Sequence, residues 1–81
     1  MLKEILTLVS DGGPLQYYVL FARERRHFSF QPTLKNREAP SFVIHVRNEE
    51  LILDGEVDEQ LAAAAQIKVR EILSSMLFDQ F

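Results

Sequence analysis

The sequence has no cysteine and only two histidines among its 81 residues. The absence of cysteine excludes disulfides, thiol catalysis and cysteine-ligated zinc. No apolar run approaches the ~20 residues that a membrane-spanning helix requires. The first residues, MLKEILTLVSDGG, also lack the basic start and the cleavage site of a signal peptide. We therefore expect an intracellular protein, cytoplasmic or nuclear, without membrane contact.

Signals for catalysis and for metal binding are weak. Two histidines supply few general bases, and no serine stands in a Gly-x-Ser-x-Gly motif or beside a histidine. Asp54, Glu56 and Asp58 alternate as cation ligands can, but an EF-hand requires glycine and glutamate where Glu59 and Ala65 stand. We interpret this stretch as a solvated acidic turn. The sequence predicts a protein that is not an enzyme and that holds no metal or cofactor.

Charge is distributed unevenly along the chain, although the net charge is only −3. Six acidic residues and no basic residue lie within residues 49–59. Residues 23–38 are basic, and Phe28 and Phe30 are interleaved with the charges, as in proteins that stack bases. The alternative is a solvated loop whose two phenylalanines cover the edge of a sheet. The possible RNA-binding residues are Arg23, Arg25, Arg26, His27, Lys35 and Arg37.

Hydrophobic periodicity predicts the secondary structure. Leu2, Ile5, Leu6 and Val9 have helical spacing, which predicts a short first helix before the Gly-Gly-Pro stop. Alternation and β-branched residues predict strands over residues 15–22, 41–47 and 50–54, and residues 15–22 are apolar on both faces. Spacings of three and four predict a last helix that runs to about residue 78, with Asp58 as its N-cap.

These elements predict one α+β domain over residues 1–81 with the order α-β-β-β-α. Residues 23–40 form a long loop or an extra hairpin between the first two strands. Each helix has one apolar stripe, so we expect both helices to pack on one face of a three-stranded antiparallel sheet.

This order, together with several segments, resembles the double-stranded RNA-binding domain. The segments are GGPLQYY at the start of the first strand, APSFVIHV, LILDGEV, and an Ala-rich helix that ends in REIL. The resemblance covers residues 2–77 and implies the fold of that family. The family's Gly-Pro-x-His loop and its Lys-Lys-x-Ala-Lys helix start are both absent, and the lysine positions align near Asp58, Glu59 and Ala62. Carboxylates there repel a phosphate backbone.

The resemblance therefore implies a degenerate member that serves in protein–protein contact or dimerisation within an RNA-associated assembly. The partner is a protein or a second copy of the chain, and the surface is the outer side of the last helix. If Leu61 and Ala65 face the core, then Ala63, Ile67 and Phe78 point away from it. The alternative function is binding of double-stranded RNA through the first helix and the basic residues 23–37.

Overall fold

The computed structural model describes residues 2–22, 24 and 26–78, with the backbone alone for residues 76–78. The described chain forms a five-stranded antiparallel sheet in the order β1-β2-β3-β4-β5, followed by one helix. A 3₁₀ turn, Leu34–Asn36, lies between β3 and β4. The elements are β1 (Leu2–Ser10), β2 (Gly13–Phe21), β3 (His27–Pro32), β4 (Phe42–Arg47), β5 (Glu50–Asp54) and α1 (Glu59–Phe78).

The predicted α-β-β-β-α order is wrong at its first element, because the first segment is strand β1 and not a helix. β1 pairs with β2 along its whole length, from Leu2 opposite Phe21 to Ser10 opposite Gly13. Its apolar residues have a helical spacing, but they also fit a strand that is apolar on both sides, with Leu6 and Leu8 on one side and Ile5 and Val9 on the other. A nine-residue helix is marginal by itself, whereas the long hairpin satisfies its backbone hydrogen bonds with β2.

The prediction of a three-stranded sheet with two helices on one face is also wrong, because residues 23–40 contain the central strand β3. This strand pairs with β2 on one side and with β4 on the other, and it buries Phe28 and Phe30 completely. The loop after it is held to β2. The amide N–H of Thr33 donates to the Gln16 carbonyl at 3.1 Å, and the amide N–H of Gln16 donates to Asn36 Oδ1 at 2.7 Å.

The second half of the chain matches its sequence pattern. β4 and β5 form the predicted hairpin, and its two turn residues, Asn48 and Glu49, have φ values of 50° and 68°, the pattern of a type I′ turn. α1 begins after Asp58, whose Oδ1 accepts a 2.7 Å hydrogen bond from the amide N–H of Leu61. Asp58 is thus the N-cap, as predicted.

The core lies between α1 and one face of the sheet. The helix contributes Leu61, Ala65, Val69 and Ile72, which are all buried. In the sheet, the Phe30 and Phe42 rings stack with their centroids 4.7 Å apart. A single helix covers a single face, so the opposite face of the sheet has no element of the described chain packed on it. No helix in the described ranges is both long enough and apolar enough to cross a membrane.

Candidate interaction surfaces

The uncovered side of the sheet, which we name the open face, is the largest candidate site. Residues that lie directly opposite each other on neighbouring strands point to the same side of a sheet, and alternate residues point to the other side. The strand registers therefore assign seventeen residues to the open face. They are Lys3, Ile5, Thr7 and Val9 on β1; Pro14, Gln16, Tyr18 and Leu20 on β2; His27, Ser29 and Gln31 on β3; Val43, His45 and Arg47 on β4; and Glu50, Ile52 and Asp54 on β5.

Apolar side chains occupy much of the open face. Ile5, Val9 and Ile52 are 60%, 50% and 43% exposed, respectively. Tyr18 and Leu20 are partly exposed between them. Scattered apolar residues are normal on a protein surface, but a contiguous apolar patch on a small domain often marks a binding surface. Ile5, Tyr18 and Leu20 are neighbours on β1 and β2 and form such a patch on the open face.

Charged side chains lie on the two outer strands of the open face. On β1, the Lys3 ammonium lies 4.1 Å from the centroid of the Tyr18 ring, so it leans over the open face. On β5, Asp54 Oδ2 lies 3.8 Å from Nε2 of His45, another residue of the open face. One margin of the face therefore carries a cation and the other carries a carboxylate.

The outer side of α1, which the sequence predicts as the partner-binding surface, offers less apolar area. Ala63 is exposed and Ile67 is 55% exposed, as expected from the helical pattern. The side chain of Phe78 lies outside the described residues. Beside Ile67, Lys68 Nζ forms a 3.2 Å ion pair with Glu71. Among the described side chains of this surface, Ile67 is the one large exposed apolar group.

The predicted RNA-binding residues do not form one patch. Arg23 and Arg25 lie outside the described residues. Arg26 and His27 stand at the start of β3, whereas Lys35 and Arg37 follow its end. The strand between these two pairs spans roughly 17 Å. In addition, the predicted first helix, through which the alternative function binds RNA, is strand β1.

Tertiary structure instead brings Arg26 and His27 to residues from β4. His27 lies directly opposite His45, with the ring centroids 6.4 Å apart. The amide N–H of Val46 donates to the Arg26 carbonyl at 2.7 Å. We name Arg26, His27, His45 and Arg47 the basic rim; they line a cleft of about 610 Å³, and none of the described residues that line it is acidic.

The described side chains include no cluster of metal ligands and one ionisable group with a shifted pKa. No group of three His, Asp or Glu side chains among them is placed to hold a metal ion. Tyr17 is the buried ionisable group with a perturbed pKa. Burial raises the pKa of its phenol, and the carboxylate of Asp58 raises it further. Its hydroxyl is engaged with the carbonyl of Pro40, which indicates a structural role.

Comparison of the chain with protein-family models, with curated proteins and with solved structures finds no match. The resemblance to the double-stranded RNA-binding domain therefore has no independent support, and the fold that it implies is wrong.

Sequence reasoning missed the open face, although one signal for it was present. Residues 15–22 are apolar on both sides of the strand, so a helix that covers one side leaves Tyr18 and Leu20 on the other. The helical spacing of residues 2–9 predicted that Ile5 and Val9 belong to the apolar stripe of a helix, so the sequence did not place them on the open face. Only the strand pairing places all four side chains on one surface.

Proposed function

We propose that this protein is a non-catalytic protein-interaction module whose binding surface is the open face of its sheet. The observation that carries the proposal is the apolar patch around Tyr18 and Leu20, which α1 leaves uncovered. Two sheets commonly bury such faces by packing against each other about 10 Å apart. We do not propose an RNA-associated assembly, because that expectation depended on the fold of the double-stranded RNA-binding domain, which is wrong for this chain.

The size of the open face fits this function. Five strands spaced by about 4.8 Å give a width of about 19 Å, and six residues of strand give a length of about 20 Å. Side chains protrude above the strand plane, so the accessible surface of the face is larger than this flat footprint. A partner sheet on this face therefore buries on the order of 1,000 Å², summed over both partners. That area meets the lower limit for a specific protein interface, so a single partner can be held without help from α1.

A photo-crosslinking phenylalanine analogue at position 18 tests this proposal, both in the purified protein and in cells that naturally make it. We expect polypeptide adducts from position 18, because the ring lies inside the patch. Leu20→Asp in the same chain should abolish these adducts, since it places a charge in an apolar contact.

The same analogue at position 67 is the matched control, because Ile67 is more exposed than Tyr18 but lies on the outer side of α1. Adducts from position 67 that persist with Leu20→Asp, together with none from position 18, would overturn the proposal. That result would favour the helix surface of Ala63 and Ile67 instead. Circular dichroism should show that each variant keeps the native fold.

A second candidate function is the binding of a phosphate-bearing ligand at the basic rim. The observation that favours it is the cleft in which Arg26, His27, His45 and Arg47 converge without an acidic lining residue. Guanidinium groups match phosphate oxygens in geometry, and their pairing with phosphate is strongest at low salt. RNA is one source of such a group, and free phosphate is another.

NMR titration at low salt, with inorganic phosphate and with a short RNA duplex, tests this second function. We expect shifts at the amides of Arg26 and Arg47, and their loss in Arg47→Gln. Arg37→Gln is the matched control, because Arg37 lies at the opposite end of β3. Shifts by the duplex alone would indicate RNA, and shifts that Arg37→Gln removes equally would contradict the assignment to the basic rim.

A further inference from the structure

One row of side chains crosses the whole open face from β1 to β5. Each neighbour in the row is fixed by the strand registers: Lys3 opposite Leu20, Leu20 opposite Ser29, Ser29 opposite Val43, and Val43 opposite Asp54. The row reads cation, apolar, small polar, apolar, carboxylate. Its two halves match in size and polarity but carry opposite charges at their ends.

A row of this kind is complementary to itself. Consider a rotation of 180° about an axis that lies above the open face and runs along β3. The rotation keeps the direction of the strands and reverses their lateral order, so β1 lies over β5, β2 over β4, and β3 over its own copy. An isologous interface requires this kind of self-complementary surface.

We infer that the partner of the open face is a second copy of this chain, related by a two-fold axis along β3, with Lys3 of each copy paired to Asp54 of the other. This inference rests on the proposed function of the open face and names its occupant. Leu20 then packs on Val43 of the second copy, and Ser29 meets its own copy on the axis. The two sheets pack in the aligned manner, with Leu20 and Val43 beside the axis and with Ile5 and Val9 beyond the end of β5 of the second copy.

The charges decide between the two simplest arrangements of copies. An axis across the strands, through the same row, places Lys3 over Lys3 and Asp54 over Asp54. Like charges in an interface are unfavourable and exclude wrong pairings. The axis along β3 replaces both repulsive contacts with attractive ones.

Within one chain, Lys3 and Asp54 stand on opposite outer strands, about 19 Å apart. At that distance salt screens their mutual interaction, so a recovery of affinity when both charges are exchanged must arise between copies.

Sedimentation velocity over a concentration series up to about 1 mM provides the test, with the variants Lys3→Glu, Asp54→Lys and the double variant. We expect the unmodified chain to dimerise and each single variant to do so at least about tenfold more weakly, because each creates two like-charged contacts. The double variant should regain the affinity of the unmodified chain to within about threefold, since it restores two opposite pairs. Lys68→Glu on α1 is the matched control and should change nothing.

Mixing the two single variants provides a further readout, because a mixed pair has two attractive contacts and neither variant can form them alone. Single variants that dimerise as well as the unmodified chain, or a double variant as weak as either, would overturn this arrangement. A chain that stays monomeric throughout the series would overturn the second copy as occupant. Adducts at position 18 to a different polypeptide would then still support the proposed function, so the two failures can be told apart.

Discussion

The hydroxyl of Tyr17 donates a 2.7 Å hydrogen bond to the carbonyl oxygen of Pro40, which joins strand β2 to the loop that leads into β4. The ring itself is completely buried and makes edge-on contacts with Phe30 and Phe42. One side chain thus fills the core and also holds the chain ahead of the β4–β5 hairpin.

Tyr17→Phe should lower the free energy of unfolding by about 1 kcal/mol, because the ring stays but the carbonyl of Pro40 loses its partner. Urea unfolding followed by circular dichroism measures this change. Tyr18→Phe is the matched control, since that ring lies partly exposed on the open face; a loss as large as that of Tyr17→Phe would contradict the role of the hydrogen bond.

The same tyrosine should make stability depend on alkaline pH. Burial, and secondly the charge of Asp58, raise the pKa of the Tyr17 phenol above its usual value. The folded protein therefore holds this proton more tightly than the unfolded chain. Its contribution to stability is intact below about pH 10 and is lost as the pH rises through the raised pKa. Urea unfolding at a series of alkaline pH values should show this decline, and Tyr17→Phe should make it shallower. If the free energy of unfolding declines equally steeply with pH in both proteins, the pH dependence does not come from Tyr17.

Asp58→Ala should destabilise the protein by about 1 kcal/mol, because the amide N–H of Leu61 loses its acceptor at the start of α1. Asp58→Asn keeps an acceptor oxygen and should retain most of the stability. Thermal unfolding of the three proteins provides the comparison. If Asp58→Asn is as unstable as Asp58→Ala, the charge and not the hydrogen bond is responsible.

Glu49→Gly should raise the free energy of unfolding by up to about 1 kcal/mol, because Glu49 is held at a φ of 68°, where a Cβ atom is strained. Glu49→Ala removes the same charge but keeps the Cβ atom, so it should give no such gain. Urea unfolding measures both. A gain with alanine equal to that with glycine would show that charge, and not backbone strain, limits this turn.

Gly55→Ala should destabilise the protein more than Gly13→Ala does. Both glycines have positive φ values, 135° and 113°, so both substitutions strain the backbone. A Cβ atom on Gly55 would also lie 2.8 Å from Cβ of Phe42, whereas one on Gly13 would meet nothing within 4 Å. We expect the difference to be about 1–3 kcal/mol, the cost of overpacking. Equal losses in thermal unfolding would mean that the chain between β5 and α1 relaxes away from Phe42.

Some features of this protein follow from local sequence pattern. Alternation in residues 41–47 and 50–54 and helical spacing after Asp58 predicted the hairpin, the helix and its N-cap, because each depends on neighbours a few residues apart. Tyr17, Val19 and Phe21 alternate along β2, and the same local geometry places all three on one buried face. The exposure of Ala63 and Ile67 followed from the helical period.

The candidate site was decided by tertiary structure. The spacing of Leu2, Ile5 and Val9 fits a helix by itself, and only pairing with β2 makes this segment a strand. Likewise, Phe28 and Phe30 become core residues only because β2 and β4 flank them. The energy of such pairing comes from contacts distant in sequence, which no local period records. The sequence by itself determined which segments have the alternation of a strand and which have the stripe of a helix. The order of the strands in the sheet decided that the one helix covers one face, and that Lys3 and Asp54 stand at opposite margins of the open face.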